Sequence, residues 1–230
     1  MELTPHEQRV IGTLIEKGFT TPMQYPLTMN SLVTGCNQKS CREPLTNIDE
    51  ERVFLALDGL RRKGLVTLVQ MAGSHTDRWK HRCGETLQLE DRDVAILGEL
   101  LLRGAQTDGE LRARASRMVS FNESERVTEC LEKLQARTPP LVVRVSPPDR
   151  RRGVRFFHTL AGEKEITAWK AVEAGRAEEP AEAGGAGSAP GGAAPGPASA
   201  LRTEVDELRA RVAAVEERLK KLEQALGGPA

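Results

Sequence analysis

The feature that most constrains this chain is an internal repeat. "LTPHEQRVIGTLIEKG" (Leu3 to Gly18) lies over "LEDRDVAILGELLLRG" (Leu89 to Gly104), with Leu3/Leu89, Val10/Ile96, Gly12/Gly98, Leu14/Leu100, Ile15/Leu101, Lys17/Arg103 and Gly18/Gly104 in register. Further on, "ERVFLALDGLRRKGLVTLV" (Glu51 to Val69) lies over "ERVTECLEKLQARTPPLVVRV" (Glu125 to Val145), sharing Glu-Arg-Val, Leu57/Leu131, Leu60/Leu134 and a closing aliphatic run. The offset falls from 86 to 74, so the first copy carries twelve extra residues, expected in its opening stretch. The chain is therefore read as two versions of one unit.

Within each unit the apolar spacing predicts three helices followed by two strands. The opening helices are predicted to end on Gly18 and Gly104. In the first unit Pro26 suits the first position of the middle helix, whose apolar face is Met29, Leu32, Val33 and Cys36. Asn37 would end that helix, and Asn47 would cap the third, with Glu50 at the capping-box position. The hairpins are "LVTLVQ" with "DRWKHR", and "LVVRV" with "VRFFHTL". Three helices and a hairpin make a winged helix-turn-helix, in which the third helix faces a DNA groove and the hairpin loop is the wing. The predicted class is α+β, mostly helical: two tandem winged helix-turn-helix domains, 1–88 and 89–171.

Beyond about residue 171 the composition changes. Residues 172–200 are almost entirely Ala, Gly, Pro, Glu and Ser, which cannot bury enough apolar area to offset the entropy of ordering, and a disordered linker is expected. Then Leu201, Val205, Leu208, Val212, Val215, Leu219, Leu222 and Leu226 recur at alternating spacings of 4 and 3. This is a coiled-coil seam over 201–227. With Val205, Val212, Leu219 and Leu226 at a positions, the g-to-e′ pairs Glu204/Arg209, Arg211/Glu216 and Arg218/Glu223 are all opposite in sign, as a parallel homodimer requires. A single helix docked on its own domain is the alternative.

The stretch "LTPHEQRVIGTLIEKGFTTPMQYPLTMNSLVTGCNQKSCREP", the later "LLLRGAQTDGELRARASRM" and the terminal heptad helix together resemble the YceH-like proteins, bacterial proteins of uncharacterised function. The resemblance covers Leu3 to about Leu160. It implies two winged-helix domains and no particular activity.

The sequence narrows function mainly by exclusion. Basic and acidic residues number 33 each, so no net field steers the whole molecule to DNA or a membrane, and any such attraction is local. No apolar run is long enough to span a bilayer, and the start "MELTPHEQRV" has no leader pattern, so a cytoplasmic protein is expected. Cys36, Cys41, Cys83 and Cys130 are too scattered for a disulfide framework. Cys36 reads as a core residue. Cys41, beside Lys39 and Arg42, is the one candidate nucleophile, but the sequence supplies it with no base. Cys36, Cys41, His75, His81 and Cys83 lack matched metal-ligand spacing. No phosphate loop, dinucleotide fingerprint or serine elbow is present. The chain is read as a non-enzymatic binding protein with no metal and no cofactor.

Duplex DNA and a protein are then the candidate partners. Basic candidates for phosphate contact are Arg61, Arg62 and Lys63 at the end of the first unit's third helix, Arg78 and Lys80 after its wing, Arg112, Arg114 and Arg117 on the second unit's middle helix, and Arg150, Arg151, Arg152 and Arg155 in its wing. The third helices open acidic, with Asp49, Glu50 and Glu51 in one and Glu123 and Glu125 in the other, which disfavours base reading by those turns. The leading expectation is a regulatory, DNA-associated dimer gripping phosphates with its basic wings. The alternative is a protein-interaction adaptor using the acidic helices.

Overall fold

The computed structural model describes residues 1–70, 76–121 and 124–177. The linker beyond residue 177, the heptad helix, residues 71–75 of the first hairpin loop including His75, and Glu123 lie outside the described residues.

The first half runs α1 (Pro5–Thr20), a 3-10 turn (Pro22–Gln24), β1 (Leu27–Thr28), α2 (Met29–Cys36), α3 (Glu50–Arg62), β2 (Val66–Val69) and β3 (Arg78–His81). A short α4 (Cys83–Leu87) leads to the second half: α5 (Asp91–Arg103), β4 (Gln106–Thr107), α6 (Asp108–Ala115), α7 (Ser124–Gln135), β5 (Val142–Arg144) and β6 (Arg155–His158). A 3-10 turn (Thr159–Ala161) and α8 (Glu163–Ala177) close it. The protein is α+β, mostly helical, with two small antiparallel sheets ordered β1-β3-β2 and β4-β6-β5. Leu27 pairs with Trp79 in one sheet as Gln106 pairs with Phe156 in the other.

Local chemistry sets the boundaries. Thr4 and Glu7 form a capping box ahead of Pro5, so α1 begins where its first N–H groups are satisfied. It runs past Gly18 to Thr20, whereas α5 does end on Gly104, at φ 78°. α2 begins at Met29, not Pro26, capped by Thr28, whose hydroxyl accepts from the Ser31 N–H, because Pro26 lies ahead of the two-residue strand β1. Asp49, not Asn47, caps α3, accepting from the Arg52 N–H at 2.8 Å. The twelve extra residues fall in two places: the offset is 86 from Pro5 to Asp91, 79 from Met29 to Asp108 and 74 from Glu50 to Ser124. Seven therefore lie between α1 and α2, and five between α2 and α3.

The first residues of the segment expected to be a linker from residue 172 are helical. α8 continues to Ala177 and buries Trp169 and Glu173. Trp169 packs on Phe157, ring centroids 5.6 Å apart, and closes over Gly104, where a Cβ would stand 2.6 Å from the indole.

One continuous cluster of buried side chains extends from Leu3 through Cys36, Ile96 and Leu131 to Leu160, so both halves share it. At its middle α1 packs on α5. A Cβ on Gly98 would lie 2.6 Å from Ile15 Cγ2, and one on Gly12 would lie 3.0 Å from the Leu102 side chain and 3.2 Å from Leu101 Cβ. The repeat-matched glycines are thus the notches that let the helices approach. Gly98→Ala is expected to cost about 1–3 kcal/mol by overpacking. Combining it with Ile15→Ala should cost less than the sum of the two single losses, as urea titration of each would show.

Candidate nucleic-acid interface

Two carboxylates decide which arginines are available to a ligand. The first is Glu16 on α1, almost fully buried. It accepts from Arg42 in the α2–α3 connection and from Arg117 just beyond α6, both close. Arg117 also donates to Glu99 on α5, Nε at 3.0 Å. Burial alone would raise the Glu16 carboxyl, but the hydrogen bonds and charges of Arg42 and then Arg117 outweigh it and hold the group below its ordinary value. Beside them Arg9 is buried, one nitrogen 2.6 Å from the Pro44 carbonyl, and burial followed by the Arg42 charge pushes its guanidinium down to about 10. Arg42 further donates to the Gly35 carbonyl from Nε at 3.0 Å, and the Glu43 N–H donates to the Leu102 carbonyl at 2.9 Å. The Cys36–Pro44 stretch is therefore a strap across the two halves. Cys36 is fully buried, and Cys41, half-buried at φ 59°, has Arg42 on its own carbonyl.

The second carboxylate is Glu173 on α8, with no exposed surface. Arg150 donates to it at 2.7 Å, Arg176 at 3.0 Å, and Arg155 lies 3.7 Å away. The Ser146 hydroxyl reaches it at 3.4 Å and accepts from the Arg155 N–H at 2.9 Å. The β5–β6 loop is fixed from its other side by Arg144, whose guanidinium donates to the carbonyls of Ser146, Pro147, Pro148 and Arg150. This loop is held at both of its faces.

Most of the twelve basic candidates are consequently engaged inside the fold. Arg114 bonds Gln106 at 2.8 Å and Glu110 at 3.4 Å, and Arg155 also pairs with Glu110 at 2.9 Å. Lys63 is held by Glu7 at 2.5 Å and Arg78 by the Pro26 carbonyl at 3.0 Å, while Arg62 makes only an exposed pair with Asp58 at 2.9 Å that leaves it open to solvent. Lys80 is half-buried. That leaves Arg61, Arg112, Arg151 and Arg152 exposed with no hydrogen bond or ion pair of their side chains among the described residues.

Arg151 and Arg152 line a groove of about 490 Å3 between the β5–β6 hairpin and α7. Thr128, Leu131 and Glu132 of α7, Arg144 and Phe156 of the hairpin, and Asp108 also line it. Of the acidic candidates, Asp49 serves as a cap while Glu50 and Glu51 are exposed; Glu125 is placed on α7. Residue patterns gave no indication of Glu16, Glu99, Arg144 or Glu173, nor of the exposed Phe54 and Leu55 on α3. No group of three or more His, Cys, Asp or Glu side chains able to hold a metal exists among the described residues, and none of their helices is long and apolar enough to cross a membrane.

Residues 3–151 match the family described as "Protein of unknown function, DUF480", and the chain belongs to that family. It is 48% identical over 163 residues to the UPF0502 protein GSU0233 of Geobacter sulfurreducens, covering 70% of this chain and 74% of that one. It is 44% identical over 177 residues to the UPF0502 protein YceH of Escherichia fergusonii, covering 75% and 82%. A UPF0502 protein of Burkholderia cenocepacia is 39% identical over 189 residues, covering 82% and 76%.

Proposed function

We propose that this protein is a non-enzymatic, DNA-associated regulator built from two winged helix-turn-helix units, with the second wing as its phosphate contact and the C-terminal heptads pairing two chains. The twice-repeated order of helix, short strand, two helices and hairpin supports the winged-helix assignment. The observation that carries the DNA reading is the Arg151-Arg152 tip, the two exposed and unpaired cations of a loop whose other arginines hold it in place. A braced loop loses little conformational entropy when its guanidiniums meet a phosphate.

Each phosphate contact adds about 0.9 to the slope of log affinity against log salt. Full-length protein is therefore expected to bind a random duplex with a modest negative slope, and Arg151→Ala/Arg152→Ala is expected to flatten it by about 2 for each wing of the dimer that touches DNA. Fluorescence anisotropy across a salt series checks this. Absence of binding at low salt, or an unaltered slope in the double variant, would overturn the reading.

A second reading is favoured by a separate observation. Phe54 and Leu55 are 54% and 60% exposed on α3, among Glu50, Glu51 and Asp58. That surface suits a protein contact better than a phosphate backbone.

A further inference from the structure

Helix α3 has two faces. Val53, Ala56, Leu57 and Leu60 enter the core, while Glu51, Phe54, Leu55, Asp58 and Arg62 follow one another along the outside at helical spacing. The repeat provides an internal control for the outer face. At the offset of 74, Phe54 and Leu55 correspond to Thr128 and Glu129 on α7, both exposed, whereas Val53, Leu57 and Leu60 correspond to buried Val127, Leu131 and Leu134. The fold thus needs apolar residues at the inner positions of this helix and tolerates polar ones outside. Phe54 and Leu55 are not required by the packing of their own half.

The charges along α3 are ordered as well. Asp49, Glu50 and Glu51 occupy its start, and Arg61 and Arg62 its end. The helix dipole favours that polarity at any helix, but it gives no reason for a Phe-Leu pair at the middle. The two features together make the surface complementary to itself. When two such helices lie antiparallel, apolar middle meets apolar middle and each acidic start lies over a basic end. This is the reciprocity a two-fold interface requires. The lengths are compatible: at 1.5 Å per residue Glu51 lies about 6 Å from Leu55 along the axis and Arg61 about 9 Å on the other side, within reach of long side chains.

We infer that the outer face of α3 is a self-association surface, docking antiparallel on α3 of a second copy of this chain with Leu55 near the two-fold axis. The inference rests on reading α3 as a protein-contact face. It takes that helix out of any DNA groove and leaves the second wing free.

The test is oxidative cross-linking of the purified full-length protein bearing Leu55→Cys, with Glu129→Cys as the matched control on α7. The expected result is a covalent dimer from Leu55→Cys, no such species from Glu129→Cys, and loss of the Leu55→Cys dimer when Arg61→Glu and Arg62→Glu are added. Sedimentation of Phe54→Thr/Leu55→Glu, in full-length protein whose heptad pairing is removed by Val212→Asp and Leu219→Asp, supplies a second measurement. The two α3 substitutions introduce the residues that α7 already carries, so folding is expected to survive, and self-association is expected to weaken. Equal cross-linking at both positions, or unchanged sedimentation, would overturn the inference. If Leu55→Cys fails to cross-link with itself while Phe54→Thr/Leu55→Glu abolishes capture of another protein from lysate, self-pairing is overturned but the protein-contact reading of α3 stands. Failure of both removes the reading too.

Discussion

Glu16→Ala is expected to lower the unfolding free energy by about 3–5 kcal/mol, the range for removing one partner of a buried ion pair. Two cations determine the size of the effect. Among the described residues Arg42, with a fully buried side chain, would lose its one ion-paired carboxylate, and Arg9, also buried, has no anion of its own within ion-pair distance. Arg117 would keep Glu99, so it moderates the loss without abolishing it. Glu16→Gln retains an acceptor and should cost less than Glu16→Ala. At roughly 2–4 °C per kcal/mol for a chain of this size, calorimetry should find the alanine variant melting about 10 °C lower. A drop of only a degree or two would mean that the cluster relaxes into water.

Glu173→Ala is expected to cost about 3 kcal/mol, toward the lower end of the same range, because its three arginines keep between 19% and 27% of their side-chain surface in solvent. The consequence should be local. Amide exchange is expected to rise in the β5–β6 loop and over α8, while α1 to α3 keep their protection. A chain ending at residue 171 should reproduce this loss, since it removes Glu173 while retaining Trp169. If both variants are as stable as the parent by urea titration, the arginine cradle contributes nothing measurable.

Much of the fold was legible because it was written twice. A helix, its Gly12 or Gly98 notch, and the Leu57/Leu131 and Leu60/Leu134 positions recur in register, and each buries the same kind of surface in both halves. The short strands β1 and β4 were not legible, since two residues are too few to show an alternating period. The start of α2 was misplaced by three residues, Pro26 for Met29, and the cap of α3 by two, Asn47 for Asp49, because composition cannot rank neighbouring candidates. The last turns of α8 were hidden in a segment rich in Ala, Gly and Glu, whose one buried carboxylate looks like any other in the string. The candidate interface was the least legible part. Which arginines are free depends on partners such as Arg117 and Glu16, which are 101 positions apart, and no local pattern reports that separation.

The contact between α1 and α5 can also be considered by its symmetry. Gly98 receives Ile15, and Gly12 receives Leu102 with Leu101 beside it; Gly12 corresponds to Gly98 in the repeat. The helix that opens each copy is therefore stacked on its own counterpart, with the glycine notch of each facing aliphatic side chains of the other. Two separate chains related by a dyad would meet in the same way, and here a peptide linkage has made the partner permanent. Either half liberated from the other would bare an unfilled notch beside an unhoused aliphatic knob, and the surface best shaped to cover both is another copy of itself.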